Sequence, residues 1–451
     1  MGIFIAIMVV SAVIYMIIQK YYPQAVLLGA GLVLLLASYF LGITPILDAK
    51  QSSASAFLDI FHTIKVILSS RAAGLGLTIM SIAGFAKYME YTGASKSLFA
   101  IVATPLKWIR SPYLLLVLSF FVSQLLVLFI PSHAGLALLL MVMMYPILIR
   151  SGVSKMSALG VIGCAQYMDV GPGSGNVILV ASISKMDPAI YFVDHQLPIF
   201  IITTLVVGIA HFFVQRWWDQ KEGFTGQETV ELSADEAERP PLIYALLPVL
   251  PMFFILGFSP LFNSKIKMDV VTAMFLSTIV GMIFEWVRTR NFGNTLQSLK
   301  YLYEGMGTSF ATVVSLITAG EVFAAGLMKI GAVDGVIFGA QHLGLGIKAL
   351  IILFCLVIAG CAFLMGSGNA AFFSFSALVP KIANSLNIEV ITILLPMQIM
   401  TSFGRVVSPI TAAIVAIAGV AGVSPVQVVK RTSIPILAAA LVNIVFVLFV
   451  S

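Results

Sequence analysis

The sequence predicts an all-α polytopic membrane protein, with about ten transmembrane helices and two re-entrant hairpins in two inverted repeats. Three observations carry this: an apolar composition, recurring runs of membrane-spanning length, and a symmetric series of small polar breaks. Of 451 residues, 60% are hydrophobic and 10% charged, against about 45–50% and about 25% in soluble domains. Apolar runs of roughly 20 residues, enough to cross a ~30 Å hydrocarbon layer, recur along the whole length and leave no room for a large soluble domain.

Spans are read at residues 2–18, 24–45, 74–92, 157–183, 193–215, 242–260, 269–287, 308–330, 387–418 and 432–450. The N-terminus is apolar from residue 3 with no basic start or small-residue cleavage pattern, so it reads as a retained first span. Two further apolar pairs, 112–150 and 348–385, are interrupted by "PSHA" and "GSGN" and read as hairpins that enter and leave on one side. Residues 216–241 form the one long hydrophilic stretch, acidic and turn-rich, and serve as a linker between halves 1–215 and 242–451. Stretches 48–71 and 95–109 mix charges with apolar residues at helical spacing, as interfacial helices do.

Sliding the second half back by 234 positions aligns Phe129 with Phe363, Pro146 with Pro380 and Ser151 with Ser385, and sets "PSHA" opposite "MGSG". The same slide carries "GPGSGN" (171–176) onto "RVVSPI" (405–410), and an offset near 238 pairs Phe85, Ala86, Gly93 and Ala94 with Phe323, Ala324, Gly331 and Ala332. Identity is low; the ordered breaks are the signal. Five crossings plus one hairpin per copy force the second copy to be inverted, which is a transporter signature. Lys and Arg are more frequent in the loops that face inward when both termini lie outside.

In lipid, an unpaired backbone N–H or C=O costs several kcal/mol, so a non-helical break persists only when buried in protein or lining a watery cavity. The breaks therefore face one another or a ligand. At the second hairpin, Gly366 and Gly368 permit the turn while Ser367 and Asn369 cap the helix and offer polar groups; Ser132 and His133 occupy the first tip. In the broken helices 157–183 and 387–418, Pro172 and Pro409 remove a backbone donor, and Gly173, Ser174, Gly175, Asn176, Gly404, Arg405, Ser408 and Thr411 gather around the breaks. Half-helix N-termini attract anions, so the four breaks predict an anion site near the midplane. Arg405 is either a fork for a substrate carboxylate or part of a structural ion pair. His133 either couples transport to protons or is a hydrogen-bonded tip residue; Asp169 either binds a cation or proton or caps the following half-helix. Lys87, Glu90 and Glu321 are expected to pair with one another.

The formal charge of +6 comes from Lys and Arg scattered through loops, so no nucleic-acid partner is expected. Cys164, Cys355 and Cys361 lie in apolar runs without metal-ligand spacing and read as packing residues; no cofactor or metal is expected. The rival from another class is an intramembrane hydrolase with Ser174 or Ser367 as nucleophile and His133 as base, but the five histidines show no paired spacing and no H-E-x-x-H is present. A passive channel has no need of two inverted hairpins closing on one site.

The stretches "SPYLLLVLSFF", "GLALLLM", "AHFFVQRWWDQKE", "GSGNAAFF", "GRVVSPITAAIVAIAG" and "SPVQVVKRTSIP" resemble the DcuC family of anaerobic C4-dicarboxylate carriers over nearly the full chain. The resemblance implies a bacterial inner-membrane carrier of succinate, fumarate or malate, working by efflux or exchange. It also implies an elevator mechanism, often within a homodimer; the coupling ion is expected to be a proton or sodium. The first hairpin tip departs from the family's Ser and Thr preference with Pro131, Ser132 and His133, and Glu321 stands where a small residue is expected.

Overall fold

The computed structural model describes residues 2–225, 240–262, 265–335, 338 and 346–450, and among these the regular structure is helical with no β-strand. In chain order the helices are α1 (Gly2–Ile18), α2 (Pro23–Phe40), α3 (Ala56–Thr92), α4 (Ala94–Val102), α5 (Pro112–Val127), α6 (His133–Arg150), α7 (Lys155–Gly163), α8 (Gly175–Ile183) and α9 (Pro188–Lys221). The second half supplies α10 (Leu242–Gly257), α11 (Val270–Thr289), α12 (Phe292–Lys329), α13 (Ile347–Met365), α14 (Gly368–Ser376), α15 (Val379–Leu386), α16 (Val390–Val406), α17 (Ala412–Ala421) and α18 (Pro425–Val450). Among the described residues, eight helices are long and apolar enough to cross a membrane, and shorter apolar helices accompany them.

Local chemistry sets where these helices begin. Ser55, Ser154, Asp187, Asp269 and Asn291 each stand just before an apolar run and accept a hydrogen bond from an N–H of the first turn. Short polar side chains there satisfy donors that the helix itself leaves unpaired.

Two long helices cross, α3 with 37 residues and α12 with 38. Each carries a five-residue π-turn, at Ala72–Gly76 and Phe310–Val314, displaced by 238 residues at both ends (72 to 310, 76 to 314). The two turns touch, and a Cβ on Gly76 would sit 3.0 Å from a methyl of Val314. The packing around them is reciprocal: α2 lies on the second half of α12, and α11 on the second half of α3. Glycines let the backbones approach. A Cβ on Gly31 would lie 2.7 Å from the backbone nitrogen of Phe323, and one on Gly305 would lie 2.6 Å from the Ala83 carbonyl. Small residues serve helix contacts in lipid in this way, where no hydrophobic force drives association.

The expected interfacial helix at 48–71 needs correction. Residues 56–71 are the first half of α3, continuous through the π-turn with the span at 77–92. Two of their charged side chains meet protein groups. Arg71 pairs with Glu321 at 2.6 Å, and the Asp59 carboxylate accepts hydrogen bonds from Ser52 and Ser53. The stretch at 95–109 is helical over Ala94–Val102, with a 3-10 turn at Thr104–Trp108. Residues 216–221 of the expected linker extend α9, and 226–239 lie outside the described residues.

Helices break inside both 112–150 and 348–385. α5 ends at Val127 and α6 starts at His133; α13 ends at Met365 and α14 starts at Gly368. The broken helices form as well, α7 with α8 around 164–174 and α16 with α17 around 407–411. These elements pack on one another and on α9 and α18, beside the crossed long helices.

Replacing Gly305 with valine should overpack the crossing of α3 and α12 at a cost of about 1–3 kcal/mol. The expected readout is a lowered apparent melting temperature in detergent, while Gly307→Val, where nothing lies within 4 Å of the added Cβ, leaves it close to unchanged.

Candidate substrate site

Both hairpin tips turn by the same device. Ser132 Oγ accepts from the Gly135 N–H at 3.2 Å, and Ser367 Oγ accepts from the Ala370 N–H at 3.3 Å. Each serine caps a helix that starts inside the molecule. Gly366 precedes the second cap with φ of 62°, a left-handed conformation that glycine adopts without strain. His133 is the first helical residue after the first cap and is half-buried.

A cavity of about 770 Å³ reaches both tips. Ser132 and Gly135 line it from the first hairpin, Asn369 and Phe373 from the second, and Gly173 and Gly175 from the first broken helix. The opposite wall is α3, α12 and the start of α4, with Ile79 and Ile82 deep and Lys87, Glu90, Lys96 and Glu304 towards the mouth. Three half-helix N-termini, those of α6, α8 and α14, therefore open onto one space. Their unpaired N–H groups and positive dipole ends favour an anion.

Behind this lining lies a layer that holds the breaks open. Arg405, 7% exposed, forks onto Asp169, 4% exposed, through two hydrogen bonds of 3.1 Å. The Asp169 carboxylate also accepts from Asn176 at 2.6 Å, Gln166 at 3.1 Å and Ser402 at 3.2 Å. The backbone of the first break is satisfied by side chains from neighbouring helices. Gln124 donates to the carbonyls of Cys164 and Ala165, Arg405 to that of Gln166, and Gln196 and Gln398 to that of Asp169. Gln196 also accepts from the Gly171 N–H, and Tyr191 donates to Gln398. At the second break, Thr411 Oγ1 donates to the Arg405 carbonyl at 2.6 Å and Thr432 to that of Val406. Every such bond replaces one that water or a helix would otherwise supply.

The structure thus sorts the sequence-derived residues into two groups. Ser132, Gly173, Gly175 and Asn369 meet at the cavity. Asp169, Asn176, Arg405 and Thr411 form the supporting layer, and Ser174 and Ser408 are buried close to the breaks. Arg405 is in an ion pair rather than on the cavity wall, the structural alternative that its sequence context left open. Gly404 packs directly on the Ala359 backbone of α13, where no side chain fits. Gly368 packs beside Thr401 and the Arg405 side chain, Ser367 caps, Gly366 turns, and Pro409 sits half-buried in the second break. Lys87 does pair with Glu90, at 3.1 Å, whereas Glu321 pairs with Arg71 instead. Sequence reading missed the glutamines 124, 166, 196 and 398, although an amide inside an apolar run is itself a signal of a buried acceptor to be met. It also missed the polar stripe Thr308, Ser309 and Thr312 on α12, which lines the cavity.

Solved structures share this architecture. The YdaH transporter of Alcanivorax borkumensis superposes with a TM-score of 0.68 at 16% identity, covering 95% of this chain and 99% of that one. MtrF of Neisseria gonorrhoeae, from a class of antimetabolite efflux pumps, superposes with a TM-score of 0.60 at 16% identity, covering 95% and 96%. This chain shares its fold with these two transporters. A family model for C4-dicarboxylate anaerobic carriers, DcuC, matches residues 1–451. A probable anaerobic C4-dicarboxylate transporter DcuC of Vibrio cholerae is 35% identical over 434 residues, covering 96% of this chain and 94% of its own. The anaerobic C4-dicarboxylate transporter DcuC of Escherichia coli K12 is 33% identical over 441 residues, covering 98% and 95%. The chain belongs to the DcuC family. Its apolar helices and its bacterial relatives place it in the inner (cytoplasmic) membrane.

Removing one partner of a buried ion pair typically costs 3–5 kcal/mol, because the other charge is left uncompensated. Arg405→Ala should therefore lower the melting temperature strongly, and Asp169→Asn combined with Arg405→Gln should recover part of that loss. Equal losses in the single and double variants would contradict the pairing. Ser132→Ala and Ser367→Ala should each cost about 1 kcal/mol as lost caps.

Proposed function

We propose that the protein is a secondary active transporter of C4-dicarboxylates such as succinate, fumarate and malate. The reading rests on one observation: both hairpin tips and the first broken helix open onto a single cavity with three helix N-termini directed at it. Family membership supplies the substrate class. The cavity lies within the ~300–1,000 Å³ range of small-molecule sites. In this reading the substrate carboxylates take hydrogen bonds from Ser132, Asn369 and the free N–H groups near Gly173, Gly175 and Gly368. The buried Asp169–Arg405 pair keeps those groups in place and adds no net charge.

The two halves are read as inverted repeats, with the hairpins, broken helices, α9 and α18 moving as one body against the crossed long helices, by an elevator motion and within a homodimer. About ten crossings result, with both termini outside. Succinate efflux or dicarboxylate exchange is the task, coupled to protons or sodium. The proton-exchanging group in this reading is His133, next to the Ser132 cap at the first tip.

In liposomes preloaded with unlabelled succinate, labelled succinate should accumulate faster than in liposomes holding buffer, with unlabelled fumarate and malate competing. Absence of uptake under imposed proton and sodium gradients alike would move the substrate to another carboxylate, an amino acid or a small peptide. Loss of a hydrogen bond to a charged group is worth about 1.5–3 kcal/mol, so Asn369→Ala should raise the half-saturating succinate concentration roughly 10- to 100-fold. His133→Gln should abolish any acceleration by a proton gradient and leave counterflow intact.

A further inference from the structure

A second cavity, of about 550 Å³, lies at the far end of the same cleft, with Thr78, Ser182, Asp187, Lys267 and Asp269 in its lining. It meets the first cavity along two antiparallel helices. On α3, Leu75 and Thr78 face the second cavity, while Ile79 and Ile82 face the first. On α8 the order is reversed, with Gly175 on the first cavity and Ile178 on the second. The wall between them is therefore about one helical turn thick, ~5 Å.

Ile79 fills that wall. It is 5% exposed, and a Cβ built on Gly175 has three carbons of Ile79 as its nearest neighbours, at 3.5 to 3.8 Å. A crevice of only about 20 Å³ continues the seam, sharing Ile82 and Gly173 with the first cavity and Ile255 with the second. Its lining is apolar, so the seam offers no hydrogen bonds to a charged solute.

We propose that Ile79 is the permeability barrier between the two cavities, and that Gly175 is small so that the broken helix slides past it. The proposal rests on the moving-body reading above. A dicarboxylate that enters from either end meets Ile79, and desolvating two charges against its side chain blocks passage until the hairpin body carries the site across. Residue 79 then sets the tightness of coupling, and residue 175 sets the ease of the slide.

The test uses protein carrying Cys164→Ala, Cys355→Ala and Cys361→Ala, checked first for succinate counterflow. Single cysteines are then placed on the fixed wall, Ala86→Cys in the first cavity and Met268→Cys in the second. A membrane-impermeant thiol reagent should label each from one side of the membrane only. With Ile79→Gly added, labelling from the opposite side should rise at least about tenfold, and Ile79→Leu should restore one-sided labelling. One-sided labelling in the Ile79→Gly protein would overturn the proposal. Gly175→Ala, whose added methyl makes only ordinary contact with Ile79, keeps the idea testable if the glycine variant does not fold. It should slow counterflow at least about threefold with labelling unchanged, and an unaltered rate would equally overturn the proposal. A parent protein without succinate counterflow would count against the substrate alone, since the labelling pattern still decides the barrier.

Discussion

The structure depends on how the backbone of residues 164–174 is satisfied inside the membrane. Eleven residues leave the helical pattern between α7 and α8, and neither lipid nor a neighbouring turn can take their polar groups. Arg405 and four glutamine or serine side chains take them instead, and Asp169 neutralises the arginine they depend on. Without that arrangement the half-helix α8 would have no fixed start, and Gly173 and Gly175 would not reach the cavity. The site is thus held by groups that do not line it.

The same pairing ties one half of the chain to the other. Asp169 belongs to the first half and Arg405 to the second; the other buried arginine, Arg431 of the second half, bonds Ser157 of the first half at 3.1 Å and, at the end of α9, Asp219 at 2.8 Å and Glu222 at 2.5 Å. Gln215 and Ser154 complete that second cluster, which joins α7, α9 and α18. Both clusters lie among the hairpins and broken helices. On the crossed long helices, Arg71 and Glu321 make a third cross-half pair, of opposite sense. Charges at this depth are costly singly, so each pair fixes which surfaces meet. The hairpin and broken-helix elements and the long helices are thus each joined across the halves, and Ile79 and Ile82 line the cavity where they face one another.

Much of this was legible in the chain. The breaks at Ser132, Pro172, Ser367 and Pro409 stand out because Gly, Ser and Pro are unwelcome in an apolar helix, and their order gives the hairpins and broken helices within a few residues. The π-turns were not legible, since "AAGLG" and "FATVV" share no residue pattern, yet both fall at the 238-residue offset that the flanking Phe and Gly residues gave. Arg405 was correctly singled out as costly. Its partner was not, because Asp169 is 236 positions away and only folding brings them together. The first half of α3, residues 56–71, reads as interfacial in sequence for a similar reason: Arg71 and Asp59 find protein partners that sequence periodicity cannot display.

In the proposed function, substrate sits at the cavity between the two hairpin tips, held by helix N-termini and not by the buried arginine. The most direct measurement is an electron cryo-microscopy structure in lipid nanodiscs with saturating succinate. Ligand density is expected between Ser132 and Asn369, with Arg405 still forked onto Asp169. Density in contact with the Arg405 guanidinium, with Asp169 released, would contradict it.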